Sequence, residues 1–323
     1  MLIAINFHYI RENYDEPYPS IFGITPQQFS DRLDQIGKFA DFLSIEDLVN
    51  IIEGEKKQPE KSVVITFDDG FKEQYELAWP VLKKKGIPAI FFANTNPIEE
   101  KNVTTTHKIH ILRAYTPPLD FQRVLENTLR ENDIEINYPD VNIARQAYQY
   151  DELETAKLKF FLNYSLDHDQ LSEVINDMFL ELNFKESEIS QNLYMTKEMI
   201  KDLAQKGVLG THGHTHRPLG LIPDEEASND VKTSLNKLKK WTGVNVKALS
   251  YPFGNKKACS KAVASTASEH GVKFGFTMER AGNPNLTSPL FLARYSNSDL
   301  PKDRVNTSLQ KFWEKISHAE WYR

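Results

Sequence analysis

The sequence has a single cysteine, Cys259, among 323 residues. That excludes an intrachain disulfide and any cysteine-rich zinc site, and it fits a reducing compartment. No apolar run approaches the roughly 20 residues that a membrane-spanning helix needs. The opening residues, Met1-Leu-Ile-Ala-Ile-Asn-Phe-His8, lack the basic and long apolar regions of a secretory leader. The expected location is therefore the cytoplasm, with no transmembrane segment. Positive charge is also short: 39 Lys and Arg against 45 Asp and Glu leave a net charge of -6. A broad surface for nucleic acid is not expected. No internal repeat or low-complexity tract is present. What is there is an ordinary globular composition, 40% hydrophobic and 26% charged, in a chain long enough for a substantial core.

Short apolar runs recur at Leu2 to Tyr9, Ser62 to Phe67, Ala89 to Asn94, Val208 to Thr211, Ala248 to Tyr251, Phe274 to Met278 and Leu290 to Tyr295. Each has the length of a buried strand and is bounded by Gly, Pro, Asn or Asp. Helical periodicity lies between them, at Pro26 to Ile36, Ile45 to Ile52, Glu73 to Lys85, Thr196 to Lys206, Glu225 to Trp241 and Ser260 to His270. Thr25-Pro26 and Ser44 read as helix starts, and Gly86 and Gly207 as left-handed stops. Strands alternating with helices predict a parallel sheet, open or closed into a barrel. In both forms functional residues gather at the carboxyl ends of strands. One stretch, from about residue 97 to 195, breaks the rhythm with long helical patterns such as Ile143 to Phe161 and His168 to Leu182. We read it as a helical insertion after the third strand, within a single domain spanning residues 1–323.

Two segments carry chemistry, each at the end of an apolar run. One is Thr66-Phe67-Asp68-Asp69-Gly70, with adjacent carboxylates. The other is His212-Gly213-His214-Thr215-His216, with three of the nine histidines in five residues. His212 and His216 have i, i+4 spacing, which puts both on one side of a helical turn. A carboxylate from the first segment would complete a facial Asp-His-His set for one divalent cation, leaving a position for water. The second carboxylate is then placed to act as a base. That is the equipment of metal-assisted hydrolysis.

With these residues in hand, the chain resembles the polysaccharide deacetylase family, the NodB-homology carbohydrate esterases. Thr66-Phe67-Asp68-Asp69-Gly70 is similar to the family's first motif in full. His212 to His216 matches the second, and Ser250-Tyr251-Pro252-Phe253-Gly254 resembles the third. "KKGIPAIFFAN", Lys84 to Asn94, is similar to the family's helix-to-strand passage after the first motif. The resemblance implies an α/β fold, a distorted (β/α) barrel of seven or eight strands. It implies that Asp69, His212 and His216 bind one divalent metal, zinc foremost with cobalt or nickel as alternatives. It implies Asp68 as general base and the Phe253 backbone N–H as oxyanion donor. The implied reaction removes an N-acetyl group from an amino sugar or glycan precursor in surface-polysaccharide biosynthesis. The alternatives are an amidohydrolase acting on a small non-sugar amide, and a catalytically degenerate protein that binds metal or carbohydrate. His214 falls on a spacer position and is expected to be a loop residue.

Two departures matter. The family's third-motif arginine, which orients the base, is replaced by Ser250. Arg294, at the end of the last strand, could take its place, contact an anionic substrate, or form a structural ion pair. The family's late Leu-x-His motif, which supplies the acid, has no clear match. His8, His107, His110 and His318 are the candidates, each with a packing role as its competitor.

Overall fold

The computed structural model describes residues 1–15, 17–18, 21, 23–135, 140–147, 153–164, 166–301 and 306–322. Two compact units divide the chain: Met1–Asn13, Gly23–Asn102 and Ser190–Arg323 form the first, and Tyr14–Phe22 with Val103–Ile189 the second.

The first unit holds eight strands: β1 (Leu2–Phe7), β2 (Asp41–Phe42), β3 (Ser62–Phe67), β4 (Ala89–Ala93), β5 (Leu209–Thr211), β6 (Ala248–Ser250), β7 (Phe274–Phe276) and β8 (Arg294–Ser296). All pair in parallel, in the order β7-β6-β5-β4-β3-β1-β8. The short β2 lies off this path. It takes the first residues of β3, Ser62 and Val63, on the edge that β4 takes from Ile65 onward. The two ends of the path then meet. Thr277 N–H donates to the Leu292 carbonyl at 2.8 Å, and Leu292 N–H to the Gly275 carbonyl at 2.8 Å. The result is a nearly closed barrel, as the resemblance implied.

Strand parity explains where the site lies. Outward residues such as Ile3, Ile5, Phe7, Val63, Ile65, Phe67, Phe91 and Leu209 pack with the surrounding helices. The inward set begins apolar, with Leu2, Ala4, Val64, Ile90, Phe92, Ala248, Phe274, Phe276 and Leu292, joined by Leu43, Ile45, Leu48 and Val49. Continued with period two toward the carboxyl ends, the same face carries Asn6, Thr66, Asp68, Asn94, His212, Ser250 and Arg294. All seven are buried. Gly210 fits this layer because a Cβ there would lie 2.4 Å from the Phe92 ring.

Local sequence sets the surrounding helices. In α1 (Pro26–Ile36) a capping box at Thr25 and a first-turn proline fix the start, and a capping box at Ser44 starts α2 (Ile45–Ile52). The helix expected over 73–85 is split into a π-helical turn, Gln74–Ala78, and α3 (Trp79–Lys85). Pro80 has no N–H, and its ring would crowd the carbonyl four residues back, so the widened turn relieves it. The strand expected at Leu290 to Tyr295 is a 3-10 turn, Pro289–Phe291, followed by β8. After β4 comes α4 (Thr95–Glu100).

In the second unit are α5 (Thr105–Tyr115), α6 (Pro118–Glu131), α7 (Val141–Ala147), α8 (Leu153–Tyr164) and α9 (His168–Glu181). Its core includes Ile111, Leu112, Phe121, Leu125, Phe161, Val174, Met178 and Phe179. The single pattern read at Ile143 to Phe161 is two helices, and residues 148–152 lie outside the described residues. Helix α10 (Glu186–Leu193) returns the chain to the first unit, where α11 (Lys197–Gln205), α12 (Asp224–Thr242), α13 (Lys261–Glu269) and α14 (Asn306–Glu314) follow. The stretch read as an insertion at about 97–195 thus runs from within α4 to the turn before α11.

Candidate active site

Asp68 and Asp69 leave β3 in different directions because Asp69 has a left-handed backbone, φ 78°. Asp68 continues the ladder, its N–H donating to the Phe7 carbonyl at 3.2 Å. Asp69 instead meets the histidine segment. Its Oδ1 lies 3.5 Å from His212 Nε2 and 3.2 Å from His216 Nε2. One ligand atom from each of the three residues falls within 4.8 Å of the others, and all three side chains are buried. Tetrahedral ligands at about 2.0–2.1 Å from a cation stand roughly 3.3–3.4 Å apart. Spacing and donor type therefore fit a zinc-like ion, and this set could hold one.

The imidazole of His212 is set by a hydrogen bond. Nδ1 lies 2.7 Å from the Ser250 carbonyl, which can only accept, so Nδ1 carries a proton and Nε2 is the nitrogen turned toward Asp69. Burial pushes the His212 pKa down, but the Asp68 and Asp69 carboxylates outweigh it and raise it above the ordinary value. The same negative field favours a cation.

The loop between the two histidines is held from below by α12. Asp230 accepts from His214 N–H at 2.6 Å, Thr215 N–H at 3.0 Å and the Thr215 hydroxyl at 2.6 Å. Gly213 has φ 76°, and a Cβ there would lie 2.9 Å from Asp230 Oδ1. His214 turns away from the cluster, its Nδ1 2.8 Å from the Thr95 hydroxyl. Asn94, at the end of β4, donates to the His212 carbonyl. Three of the non-glycine residues with positive φ are Asp69, His216 and Phe253, so backbone strain gathers here.

Asp68 is held by a second network. Arg294 reaches it with both terminal nitrogens, NH1 to Oδ1 at 2.9 Å and NH2 to Oδ2 at 2.7 Å. Asn6 Nδ2 donates to Oδ2 at 2.9 Å. Arg294 also donates to the Ser250 hydroxyl at 2.9 Å and the Thr66 hydroxyl at 3.2 Å, and Thr66 donates to Asn6 Oδ1 at 3.0 Å. Burial pushes the Asp68 carboxyl up, but Arg294 and then His212 more than offset it and hold the group below the usual carboxylate range. Of the three readings left open for Arg294, this is an ion pair to the candidate base, made from β8 across to β3. Ser250 sits where the resemblance led us to expect an arginine, and it accepts a hydrogen bond from Arg294.

Phe253 is 41% exposed, with its ring centroid 5.1 Å from that of His216. Its N–H donates to no group among the described residues. His8, at the carboxyl end of β1, is exposed, and its Nε2 lies 3.4 Å from Asn6 Nδ2. His107 and His110 belong to the second unit, where His107 Nδ1 lies 2.9 Å from the Thr104 hydroxyl. His318 pairs with Gly282, beside Asn283, which pairs with Leu2 at the amino end of β1. It stands at the opposite end of the barrel from Asp68 and is excluded as the acid. Sequence reading named Thr66 only as part of its motif, without a role, and missed Asn6 and Asp230. Strand parity could have placed Thr66 and Asn6, while Asp230 is visible only once α12 is placed.

A family model described as polysaccharide deacetylase matches residues 55–275. A poly-beta-1,6-N-acetyl-D-glucosamine N-deacetylase of Staphylococcus epidermidis is 30% identical over 123 residues, 34% of this chain and 40% of that protein. The chain spans less than half the length of the curated relatives it matches. Among solved structures, the Streptococcus pyogenes deacetylase PplD in complex with acetate aligns over 98% of this chain and 97% of its own, with a TM-score of 0.56 at 15% identity. IcaB from Ammonifex degensii aligns over 96% and 97%, with a TM-score of 0.57 at 17% identity. At such identities the structural likeness establishes the fold.

Proposed function

This chain belongs to the polysaccharide deacetylase family, and from that premise we propose that it is a metal-dependent hydrolase removing N-acetyl groups from an amino-sugar glycan. The observation that carries the reading is the pairing of a buried Asp69–His212–His216 set with a neighbouring carboxylate, Asp68, held ionised by Arg294. A protein that merely bound metal would have no use for a buried, charged and aligned base beside its ligands. Asp69, His212 and His216 hold the ion, with zinc, cobalt and nickel all suited to that donor set. When bound, it supplies Lewis acidity, lowering the pKa of a water and polarising the amide carbonyl.

The remaining steps belong to side chains and backbone. Asp68 takes the proton of the attacking water, and its depressed pKa keeps it ionised to do so at neutral pH. The Phe253 N–H donates to the developing oxyanion. His8 protonates the departing nitrogen. His8 Nε2 lies 3.4 Å from Asn6 Nδ2, which also donates to Asp68, so the His8 ring stands beside the base. Arg294 orients Asp68 and does not touch substrate. The glycan class follows from the likeness to poly-beta-1,6-N-acetyl-D-glucosamine N-deacetylases, which favours a β-1,6-linked N-acetylglucosamine chain over a small amide. No helix among the described residues is long and apolar enough to cross a membrane. We place the protein in surface-glycan assembly on the strength of that substrate class.

The test is acetate release from β-1,6-linked N-acetylglucosamine oligomers by metal-stripped protein reloaded with zinc, cobalt or nickel. Activity restored by metal, and reduced about 10²–10⁴-fold by Asp68→Asn with the metal still bound, is the expected result. Hydrolysis of formamides or ureides, read as formate or ammonia, but not of sugars would replace the substrate class. No hydrolysis of any of them would remove the enzyme reading.

A further inference from the structure

The ladder between β1 and β3 ends at the Asp68 N–H to Phe7 carbonyl bond. Beyond it the strands part, carrying His8 on one side and Asp68 on the other. A side chain bridges the gap. Gln74 is fully buried, and its Nε2 donates to the His8 carbonyl at 2.9 Å and to the Asp68 carbonyl at 2.6 Å. Both partners can only accept, so the amide nitrogen must face them, and its two hydrogens are matched by two carbonyls. The neighbouring residue acts on the same loop. Glu73 Oε1 accepts the Ile10 N–H at 2.7 Å, and the loop is anchored further on where Arg11 N–H donates to the Ile24 carbonyl at 3.1 Å.

We propose that Glu73 and Gln74 are positioning residues that lock the His8 loop against the end of β3, and so fix the distance between acid and base across the scissile bond. The proposal rests on the assignment of Asp68 and His8 made above.

Two further features support it. Gln74 Oε1 is buried without a partner among the described residues. An unmet acceptor is destabilising, so a residue kept only to fill space would more simply be Leu or Met. Gln74 also opens the π-helical turn, Gln74–Ala78. Such turns recur at functional sites, where they re-aim side chains at modest cost to the helix. Both contacts run to backbone groups, so they constrain where the loop stands and leave the His8 ring free to reach substrate.

Gln74→Met removes both donors while keeping the volume. The expected result is a fall of about 10- to 100-fold in kcat on N-acetylated oligomers, with KM little changed, as for a small misplacement of a reacting group. Zinc affinity should stay as in the wild type. Hydrolysis of 4-nitrophenyl acetate should be nearly unaffected, because its leaving group needs no proton. In a His8→Asn background Gln74→Met should add little further loss on the oligomers. Wild-type kcat in Gln74→Met, equal loss on amide and aryl ester, or a full loss added on top of His8→Asn would each overturn the latch. Unchanged amide activity in His8→Asn alone would overturn the acid assignment, and the latch with it. Should Gln74→Met yield no soluble protein, Glu73→Leu against Glu73→Gln makes the same comparison. Glu73→Gln keeps the acceptor for Ile10 and should behave as wild type, whereas Glu73→Leu should show the selective kcat loss.

Discussion

The two arms of the site are built in opposite ways. The carboxylate arm hangs on side chains of four strands: Asp68 at the end of β3, Asn6 on β1, Ser250 on β6 and Arg294 on β8. It is rigid because the barrel is rigid, and its bonds are charged. The histidine arm is a loop, and what fixes it is mainly backbone hydrogen bonding to Asp230 of α12 and the ends of β4 and α4. One arm has its charge tuned; the other has its shape tuned. Damage to the first should therefore alter the chemistry and leave metal affinity alone, and damage to the second should do the reverse.

Arg294→Met puts the largest strain on that contrast. It leaves the Asp68 carboxylate buried without its cation, and breaking such a pair costs about 3–5 kcal/mol when the remaining charge stays unpaired. Asp68 then escapes part of that cost by binding a proton. In the wild type the depressed carboxyl contributes stability above the ordinary carboxylate range, and that contribution is lost as pH falls through the depressed value. In the variant the carboxyl moves upward instead, because burial is no longer offset by Arg294, the largest of the opposing effects. The acid limb of kcat/KM should shift to higher pH, with activity at neutral pH down about 10²–10⁴-fold. Zinc binding, measured by calorimetry, should change little. A variant that loses zinc in proportion to activity would show the arms are not separable.

The contrast also marks what could be read in the sequence. Strand runs, helix starts at Thr25 and Ser44, and the spacing of His212 and His216 are local signals, so they were legible. Asp68 and Asp69 were legible as a pair, but their division of labour depends on a left-handed turn at Asp69 that spacing alone does not give. Arg294 could be named but not assigned. Its partner lies 226 positions earlier, and only the pairing of β8 with β1, in register Ala4 to Arg294, brings it to Asp68. The two-residue β2 carries too little pattern to notice, and the π-helical turn reflects a conflict at Pro80 that periodicity smooths over. Asp230 sits within an ordinary polar helix. Nothing in its neighbourhood distinguishes it from Asp224 until the fold turns it toward the loop.

Asp230→Ala strikes the other arm and should have the next largest effect. It frees two backbone N–H groups and a hydroxyl beneath the loop. Support of this kind typically affects metal affinity by about 10–100-fold. Zinc affinity should fall within that range, and kcat at saturating zinc should recover most of its wild-type value. The d–d spectrum of the cobalt-loaded protein should report altered geometry at His212 and His216. A kcat deficit that saturating zinc fails to correct would mean Asp230 serves the chemistry as well as the loop.

Gly213→Ala is the mildest change, and it tests whether shape alone matters in the histidine arm. The residue has φ 76°, where a non-glycine residue costs about 1–2 kcal/mol. The added Cβ would also lie 2.9 Å from Asp230 Oδ1, so either the loop or the carboxylate must shift. No charge, ligand or proton donor is altered. If the loop yields, zinc affinity falls by less than in Asp230→Ala, because the three hydrogen bonds are stretched and not removed. The acid limb of the rate should stay where it is, since Asp68 and Arg294 do not touch this loop. A Gly213→Ala variant with an unchanged melting temperature and unchanged zinc affinity would show that the loop has slack, and that Asp230 holds it by charge and not by fit.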